Sequence, residues 1–272
     1  MEHVSSNVTL VETKKRSLVP EKWEDQVRAI GISECKEAAL SLAQAFATDE
    51  LAQYLLDAED VASDDDESKW RLHVDIFNYI VAAHCYKGVV TTIGPDYEAV
   101  ALWMPPGKEA DDWLTILRSG MWRLYYQLSA EGRRRYYDEL LPVLHHTKHE
   151  VMGDRDNDCY YLVYLGTKPS GQRRGYGRKL IEQMAAKADA EGRAMYLESS
   201  SEKNNAYYKK FGFEIKRDIY LGANANANIT TKGANATSAP VRLTIMVREP
   251  RKLTLANSIP IKLHSGFAHR AM

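Results

Sequence analysis

Leu165-Gly166-Thr167-Lys168-Pro169-Ser170-Gly171-Gln172-Arg173-Arg174-Gly175-Tyr176-Gly177-Arg178 is the stretch that decides the fold. It joins a strand-like run to a helix-like one through a turn that ends in two closely spaced glycines. Successive backbone N–H groups at such a turn, backed by the positive end of the helix dipole, form a ready site for a phosphate or pyrophosphate. Glycine serves where main chain must approach a ligand without a Cβ in the way. Arg173, Arg174 and Arg178 add positive charge around the turn. Two other phosphate loops are excluded: no Gly-Lys-Ser/Thr occurs here, and the three-glycine dinucleotide fingerprint is missing.

On either side of this turn, β-rich and helical patterns alternate. The run from Tyr160 to Thr167 is the most strand-like in the chain, and a helix is predicted from about Gly175 to Glu191. Upstream, the reading is a tail over 1–19 and a short strand at Val27 to Ile32. A helix follows, N-capped by Ser33 and carrying Ala38, Leu40, Leu42, Ala43 and Phe46 on its apolar face. One or two further turns span Asp49 to Leu56. A second long helix runs from Lys69 to Ala83, with Trp70, Val74, Phe77, Ile80 and Val81 as its apolar stripe. The acidic run before it complements its dipole. Val89 to Ile93 and Ala99 to Met104 form a hairpin about Gly94-Pro95-Asp96. Residues 108–150 are helical in pattern and rich in aromatics. Downstream come a strand at Met195 to Ser199, a short helix at Asn204 to Phe211, and strands at Phe213 to Leu221 and Val241 to Val247. An Asn/Ala-rich loop over 222–240 separates the last two. The rhythm is not a strict βαβ repeat, so the expected fold is α/β (α+β), a single domain over 20–272 built on one mixed sheet.

Composition narrows the function. In 272 residues, 36 basic side chains face 37 acidic ones, a net charge of -1 that gives no footing for nucleic acid. Cys35, Cys85 and Cys159 lie far apart with no pair at metal-ligand spacing, so neither a zinc site nor a disulfide framework is expected. No basic start leads into an apolar run, and no stretch reaches the ~18 apolar residues of a membrane span, so a cytoplasmic protein is expected.

One strand beyond the phosphate-type turn lies Asn204-Asn205-Ala206-Tyr207-Tyr208-Lys209-Lys210-Phe211-Gly212-Phe213. With this second motif the chain resembles the GNAT superfamily of acyl-CoA-dependent N-acetyltransferases. The Gln-x-x-Gly-x-Gly turn is similar to that family's pyrophosphate loop, and Tyr-x-x-x-Gly-Phe to its helix-then-strand signature, in the same order. Tyr196 to Ser200, Asn204 and Tyr208 to Phe213 resemble most the puromycin N-acetyltransferase group, as do Ala99 to Pro106 and Thr244 to Pro250. The likeness is firm over 158–221, thinner over 20–106, and absent over 108–150 and the Asn/Ala-rich loop.

The resemblance implies a mostly antiparallel sheet flanked by helices on both faces, and transfer of acetyl from acetyl-CoA to the amine of a small molecule. The backbone of Gln172, Arg173, Arg174, Gly175, Tyr176 and Gly177, with Arg178 beside it, would hold the coenzyme's diphosphate. Leu165, Gly166 and Thr167 would pair with its pantetheine arm as an added strand and polarise the thioester carbonyl. Asn204 would touch the coenzyme, with a helix N-cap as its alternative role. Tyr208 is the candidate general acid for the leaving thiolate, chosen over Tyr207 by its spacing to Gly212. Glu198 is the first choice of general base, with His145 and His146 second, and Cys159 lacks the partner a nucleophile needs. Trp70, Phe77, Trp103, Trp113 and Trp122 are candidates for an apolar acceptor wall, with core packing as their alternative. No metal and no macromolecular partner is implied, the state being monomer or homodimer. The alternatives are a protein lysine or N-terminal acetyltransferase and a non-catalytic acyl-CoA-binding protein.

Overall fold

A computed structural model describes residues 18–61, 65–222 and 240–251. Apart from their edges, the predicted tail over 1–19 and the Asn/Ala-rich loop over 222–240 lie outside the described residues. Strand β1 (Arg28–Ile30) leads through a 3-10 turn, Ile32–Glu34, into helix α1 (Cys35–Ala45). Ser33 sits inside that turn and does not cap the helix: Glu34 holds the N-cap position without a side-chain bond. Helix α2 (Glu50–Leu56) is capped by Asp49, whose Oδ1 accepts from the N–H of Leu51 and Ala52. Helix α3 (Asp66–Lys87) starts earlier than its apolar stripe predicts, because Asp65 caps it by accepting from Ser68 N–H.

The predicted hairpin forms β2 (Val89–Ile93) and β3 (Ala99–Met104), with Val89 opposite Trp103 and Ile93 opposite Ala99. The segment after it folds as α4 (Trp113–Ser119), α5 (Leu124–Gln127) and α6 (Ala130–Arg133). A π-helical stretch, Arg134–Leu140, then runs straight into α7 (Leu141–Met152). Then come β4 (Cys159–Thr167), α8 (Tyr176–Glu191), β5 (Ala194–Ser199), α9 (Glu202–Lys209), β6 (Glu214–Leu221) and β7 (Val241–Arg248).

Among the described residues the strands form one sheet in the order β1-β2-β3-β4-β5-β7-β6. Every pair is antiparallel except β4–β5, which is parallel. Helices cover both faces, and period-2 alternation along β3 assigns the sides. Ala99, Ala101 and Trp103 pack with Tyr176, Leu180, Ile181 and Met184 of α8, while Val100 and Leu102 pack with α1 and α3. Leu40 and Trp70, expected on apolar faces, point largely to solvent. Buried Arg248 ties the layers together: its guanidinium grips Asp189 of α8 at 2.8 and 2.7 Å and donates to the Phe211 carbonyl at 2.9 Å. No helix among the described residues is long and apolar enough to cross a membrane.

Strand β4 carries the irregularity that matters. Leu102 of β3 faces Tyr164, but the next residue, Trp103, faces Leu162, so Val163 is an extra residue in the ladder. Val163 and Tyr164 accordingly both pack toward α1 and α3. On its other edge β4 pairs with β5 only from Cys159↔Ala194 to Leu162↔Leu197. Beyond Leu162 that edge has no strand partner among the described residues, whereas β3 stays paired to Thr167. Gly166 lets α1 settle on the bent strand: a Cβ there would lie 2.8 Å from Leu42 Cδ2 and 2.9 Å from Ala45 Cβ. Gly166→Val should therefore lower the unfolding free energy by about 1–3 kcal/mol through overpacking. Denaturant titration checks this, and an unchanged midpoint would show that α1 is not seated on this glycine.

Candidate active site

The turn between β4 and α8 is built by backbone conformation. Lys168 is anchored to the β2–β3 hairpin, its Nζ donating to the Asp96 carbonyl and carboxylate at 2.6 and 2.5 Å. Gly171 passes so close to Glu98 that a Cβ would lie 2.5 Å from Glu98 Cβ. Past this anchor, Arg173 (φ 64) and Gly175 (φ 78) both adopt the left-handed region, costly for arginine and found mainly where function demands it. Nothing lies within 4 Å of a Cβ built on Gly175, so space is open above the turn at the start of the 16-residue helix α8. Gly177 faces the Tyr207 hydroxyl and Thr167 Oγ1, at 3.2 and 3.8 Å from its Cβ position. Such a concave run of N–H groups at a helix start fits a diphosphate.

The candidate coenzyme residues are sorted by the geometry. Gln172, Arg173 and Arg178 are exposed, with Gln172 Nε2 3.4 Å from the Thr167 carbonyl. The Arg174 side chain is committed to Glu24, whose Oε1 also accepts from the Tyr176 hydroxyl at 3.1 Å. The Tyr176 ring is buried in the core, so these two residues have backbone to offer at the turn. Leu165 packs toward α8, and Leu165, Gly166 and Thr167 all lie on the unpaired edge of β4. Asn204 is exposed in the first turn of α9; Ser201, not Asn204, holds the N-cap position. Asn205 is the buried neighbour, donating to Thr244 Oγ1 at 3.0 Å.

Tyr208 lies on the α8 face of the sheet. Its carbonyl accepts from Phe213 N–H at 3.4 Å while that of Lys209 accepts from Gly212 N–H at 3.1 Å, and Gly212 has φ 93. This is the Schellman helix ending, completed by the ring contact of Tyr208 with Phe213 at 5.8 Å. Burial raises the Tyr208 phenol above its usual value, so it stays protonated.

Glu198 points to the opposite face. Met195 and Leu197 of β5 pack toward α8, while Tyr196 and Glu198 face α7. Burial pushes the Glu198 carboxyl up to about 7, opposed by the facing phenols of Tyr161 and Tyr196 and by the charge of Lys148. The Tyr196 phenol closes no well-formed hydrogen bond: it and Glu198 Oε1 are both buried without a partner at bonding geometry. On the same face, beside the free edge of β4, is a cavity of about 30 Å³. Phe46, His73, Phe77 and Tyr164 line it with Leu51, Leu55 and Ile76. Asp49 closes one side, accepting from Ser200 Oγ at 2.6 Å.

Several expectations change. His145 and His146 are exposed on the outer side of α7, His146 lying 3.2 Å from Glu150, so neither reaches Glu198's surroundings. Trp113 and Trp122 are 74% and 43% exposed and Trp103 is a fully buried core residue on the α8 face; of the five aromatics, Phe77 alone lines the cavity. Cys159 is buried and its thiol is pushed up to about 11, the reverse of an activated nucleophile. No group of three or more metal-ligating side chains occurs among the described residues. Sequence reasoning missed Asp49, Lys148, Tyr161, Tyr164 and Tyr196. For Lys148 a signal exists: Leu144, Lys148, Val151 and Met152 share one helical face, and the other three pack inward.

A Glu198 carboxyl raised to about 7 from its ordinary 4.5 binds its proton more tightly in the folded chain than in the unfolded one. Its contribution to stability is full below about 4.5 and is lost as pH rises through about 7. Glu198→Gln, which cannot ionise, should thus gain stability on the parent between pH 5 and pH 8, by about 3 kcal/mol at most. Parallel denaturant titrations at the two pH values measure it; a pH-independent difference would contradict the buried carboxylate.

A family model described as Acetyltransferase (GNAT) domain matches residues 143–215, which span α7 to the start of β6. An uncharacterized N-acetyltransferase of Schizosaccharomyces pombe is 40% identical over 215 residues, 79% of this chain and 79% of that protein. Arylalkylamine N-acetyltransferase 2 from Aedes aegypti shares the fold with TM-score 0.51 at 15% identity, over 83% of this chain and 99% of that one. The mosquito arylalkylamine N-acetyltransferase like 5b also superposes with TM-score 0.51, at 14% identity over 82% of this chain and 99% of that one.

Proposed function

This chain belongs to the GNAT acetyltransferase family, and we propose that it moves an acetyl group from acetyl-CoA to the amine of a small molecule, which attacks directly while both substrates are bound. That it is an acyltransferase follows from the family; the acceptor, the residue roles and the finer kinship with the puromycin N-acetyltransferase group are the proposal. The observation that carries it is the unpaired edge of β4 leading into the left-handed turn before α8. Acetyl-CoA supplies the activated acetyl thioester.

The chain's own groups then have separate tasks. Backbone N–H groups of 172–177 hold the diphosphate, with Arg173 and Arg178 adding charge. Leu165 to Thr167 bind the pantetheine arm through main chain, as an added strand would, and one N–H there polarises the thioester carbonyl. Asn204 is free to reach the coenzyme from α9. From the opposite face Glu198, ionising near neutrality, takes the proton of the acceptor's ammonium, directly or through water. Tyr208 returns a proton to the leaving sulfur from the α8 face.

The character of the walls beside the β4 edge, not the room there, supports an apolar or aromatic amine: at about 30 Å³ the cavity holds no more than a water, and an acceptor would have to part its lining. Its walls are largely ring faces and aliphatic groups, and of its polar members His73 bonds the Ala43 carbonyl at 3.0 Å and Asp49 caps α2, leaving the Tyr164 phenol. A peptide acceptor needs an open groove, and this pocket is roofed by α2 and α3.

Two measurements test this reading. Gly175→Trp should raise the dissociation constant for coenzyme A at least tenfold by calorimetry, because bulk at a residue with φ 78 blocks the turn. An unaltered constant would remove the diphosphate assignment. In a thiol-release assay across an amine panel, Tyr208→Phe should lower kcat by roughly a hundredfold with coenzyme binding kept. Turnover equal to the parent's would strip Tyr208 of the acid role.

A further inference from the structure

Glu198 poses a problem that its own strand does not solve. It is half-buried, with Oε1 fully enclosed and unpartnered, and an isolated carboxyl in such a place keeps its proton and accepts none. A cation whose field reaches it is Lys148, in the middle of α7, with its side chain 16% exposed. Its ammonium is fixed by Asp156, donating to that residue's carbonyl at 2.5 Å and pairing with its carboxylate. Held there, Nζ lies 5.9 Å from the centroid of the Tyr161 ring and 6.0 Å from that of Tyr196. The two rings meet edge-to-face at 5.4 Å. The same two phenols face Glu198.

We infer that Lys148, clamped by Asp156 over the Tyr161–Tyr196 ring pair, is the positioning residue that keeps Glu198 able to take the acceptor's proton. The inference rests on Glu198 being the base. The arrangement is a polarised series: cation, then two ring faces, then phenol hydroxyls, then carboxyl. An ammonium over a ring face is attracted to it, and its field also favours the negative charge beyond. Desolvation makes that field act at longer range than in water. Lys148 touches no substrate in this scheme. Among the other titratable groups sensing Glu198, Cys159 and Tyr164 are both neutral, their protons held by burial. Asp156 is spent on Lys148, with His149 Nδ1 3.4 Å away from its other oxygen. Asp49, whose charge Tyr164 also senses, caps α2. Lys148 thus adds a cationic contribution, smaller than that of the two phenols, against burial at this carboxyl.

The test is the pH profile of kcat/KM for the full-length enzyme with acetyl-CoA and its best amine. The parent should lose activity on the acid side near pH 7, and Glu198→Gln should abolish that limb. Lys148→Met keeps the apolar stem and removes the charge; it should move the limb up by about one pH unit, with KM for acetyl-CoA unchanged. Asp156→Asn, which removes the counter-charge that offsets the ammonium, should move it the opposite way, and Lys148→Arg should restore the parental profile. Carbon NMR of glutamate-labelled protein reads the Glu198 titration midpoint without turnover, and it should rise in Lys148→Met. A limb that survives in Glu198→Gln sinks the base assignment itself. A limb lost in Glu198→Gln but unmoved in both Lys148→Met and Asp156→Asn overturns the present inference alone, leaving Lys148 a tie between α7 and the 153–158 turn. Should Lys148→Met not fold, Asp156→Asn and the NMR midpoint decide between the same outcomes.

Discussion

The candidate site depends on one failure of pairing: β4 and β5 hydrogen-bond as neighbours only as far as Leu162 and Leu197. The cause lies in β4. An extra residue at Val163 sends two consecutive side chains to the same face and bends the strand. Strand β5 cannot follow, because β7 holds it in register through Glu198↔Ile245 and Ser199↔Thr244. One strand turns away while the other is held, and a gap opens in the middle of the sheet. Main-chain groups on an unpaired edge need partners, and in the proposed function an extended ligand would supply them. Gly166 completes the device by letting α1 follow the bend.

The gap also divides the chemistry. Alternation along β5 places Leu197 on the α8 face and Glu198 on the α7 face. The proposed proton donor, Tyr208, lies with the former and the proposed proton acceptor with the latter, so the two would not neutralise one another. Each is set by its own surroundings. Burial holds the proton on Tyr208. Around Glu198 the same burial is opposed by two phenols and a distant ammonium, and the outcome falls near neutrality. Paired groups whose environments push them apart are the pattern expected of acid–base chemistry.

Most of the local order was legible in the sequence. The apolar residues of α8, from Tyr176 through Leu180, Ile181 and Met184, recur at helical spacing and are the ones buried. The hairpin bounds Val89–Ile93 and Ala99–Met104 follow from turn chemistry. What was not legible is non-local. Nothing in the spacing of β6 and β7 says that the last strand inserts between β5 and β6. The bulge at Val163 shows only once β3 is laid beside β4. Segment 108–150 misled for a different reason: its aromatics have helical spacing, yet α4 is short and Trp113 at its start, like Trp122 in the 3-10 turn Met121–Arg123 before α5, faces outward. Its contribution to the candidate site is the cation of Lys148, which neither hydropathy nor aromatic content marks out.

The Tyr-x-x-x-Gly-Phe motif illustrates how a signature can be legible while its meaning is divided. Gly212 stands where the chain must take φ 93 to leave α9, and Phe213 folds back so that its N–H reaches the Tyr208 carbonyl. The ring of Tyr208 then meets the ring of Phe213, the hydrophobic contact that closes a Schellman ending. Spacing of this kind is therefore required for a helix to stop and a strand to start, whatever chemistry follows. It also separates two adjacent tyrosines. One helical step, about 100°, sends the Tyr207 hydroxyl toward Gly177 and sets Tyr208 in the core beside the gap. The cap uses the Tyr208 carbonyl and ring, and it leaves the hydroxyl with no structural duty; the acid role asks for the hydroxyl alone.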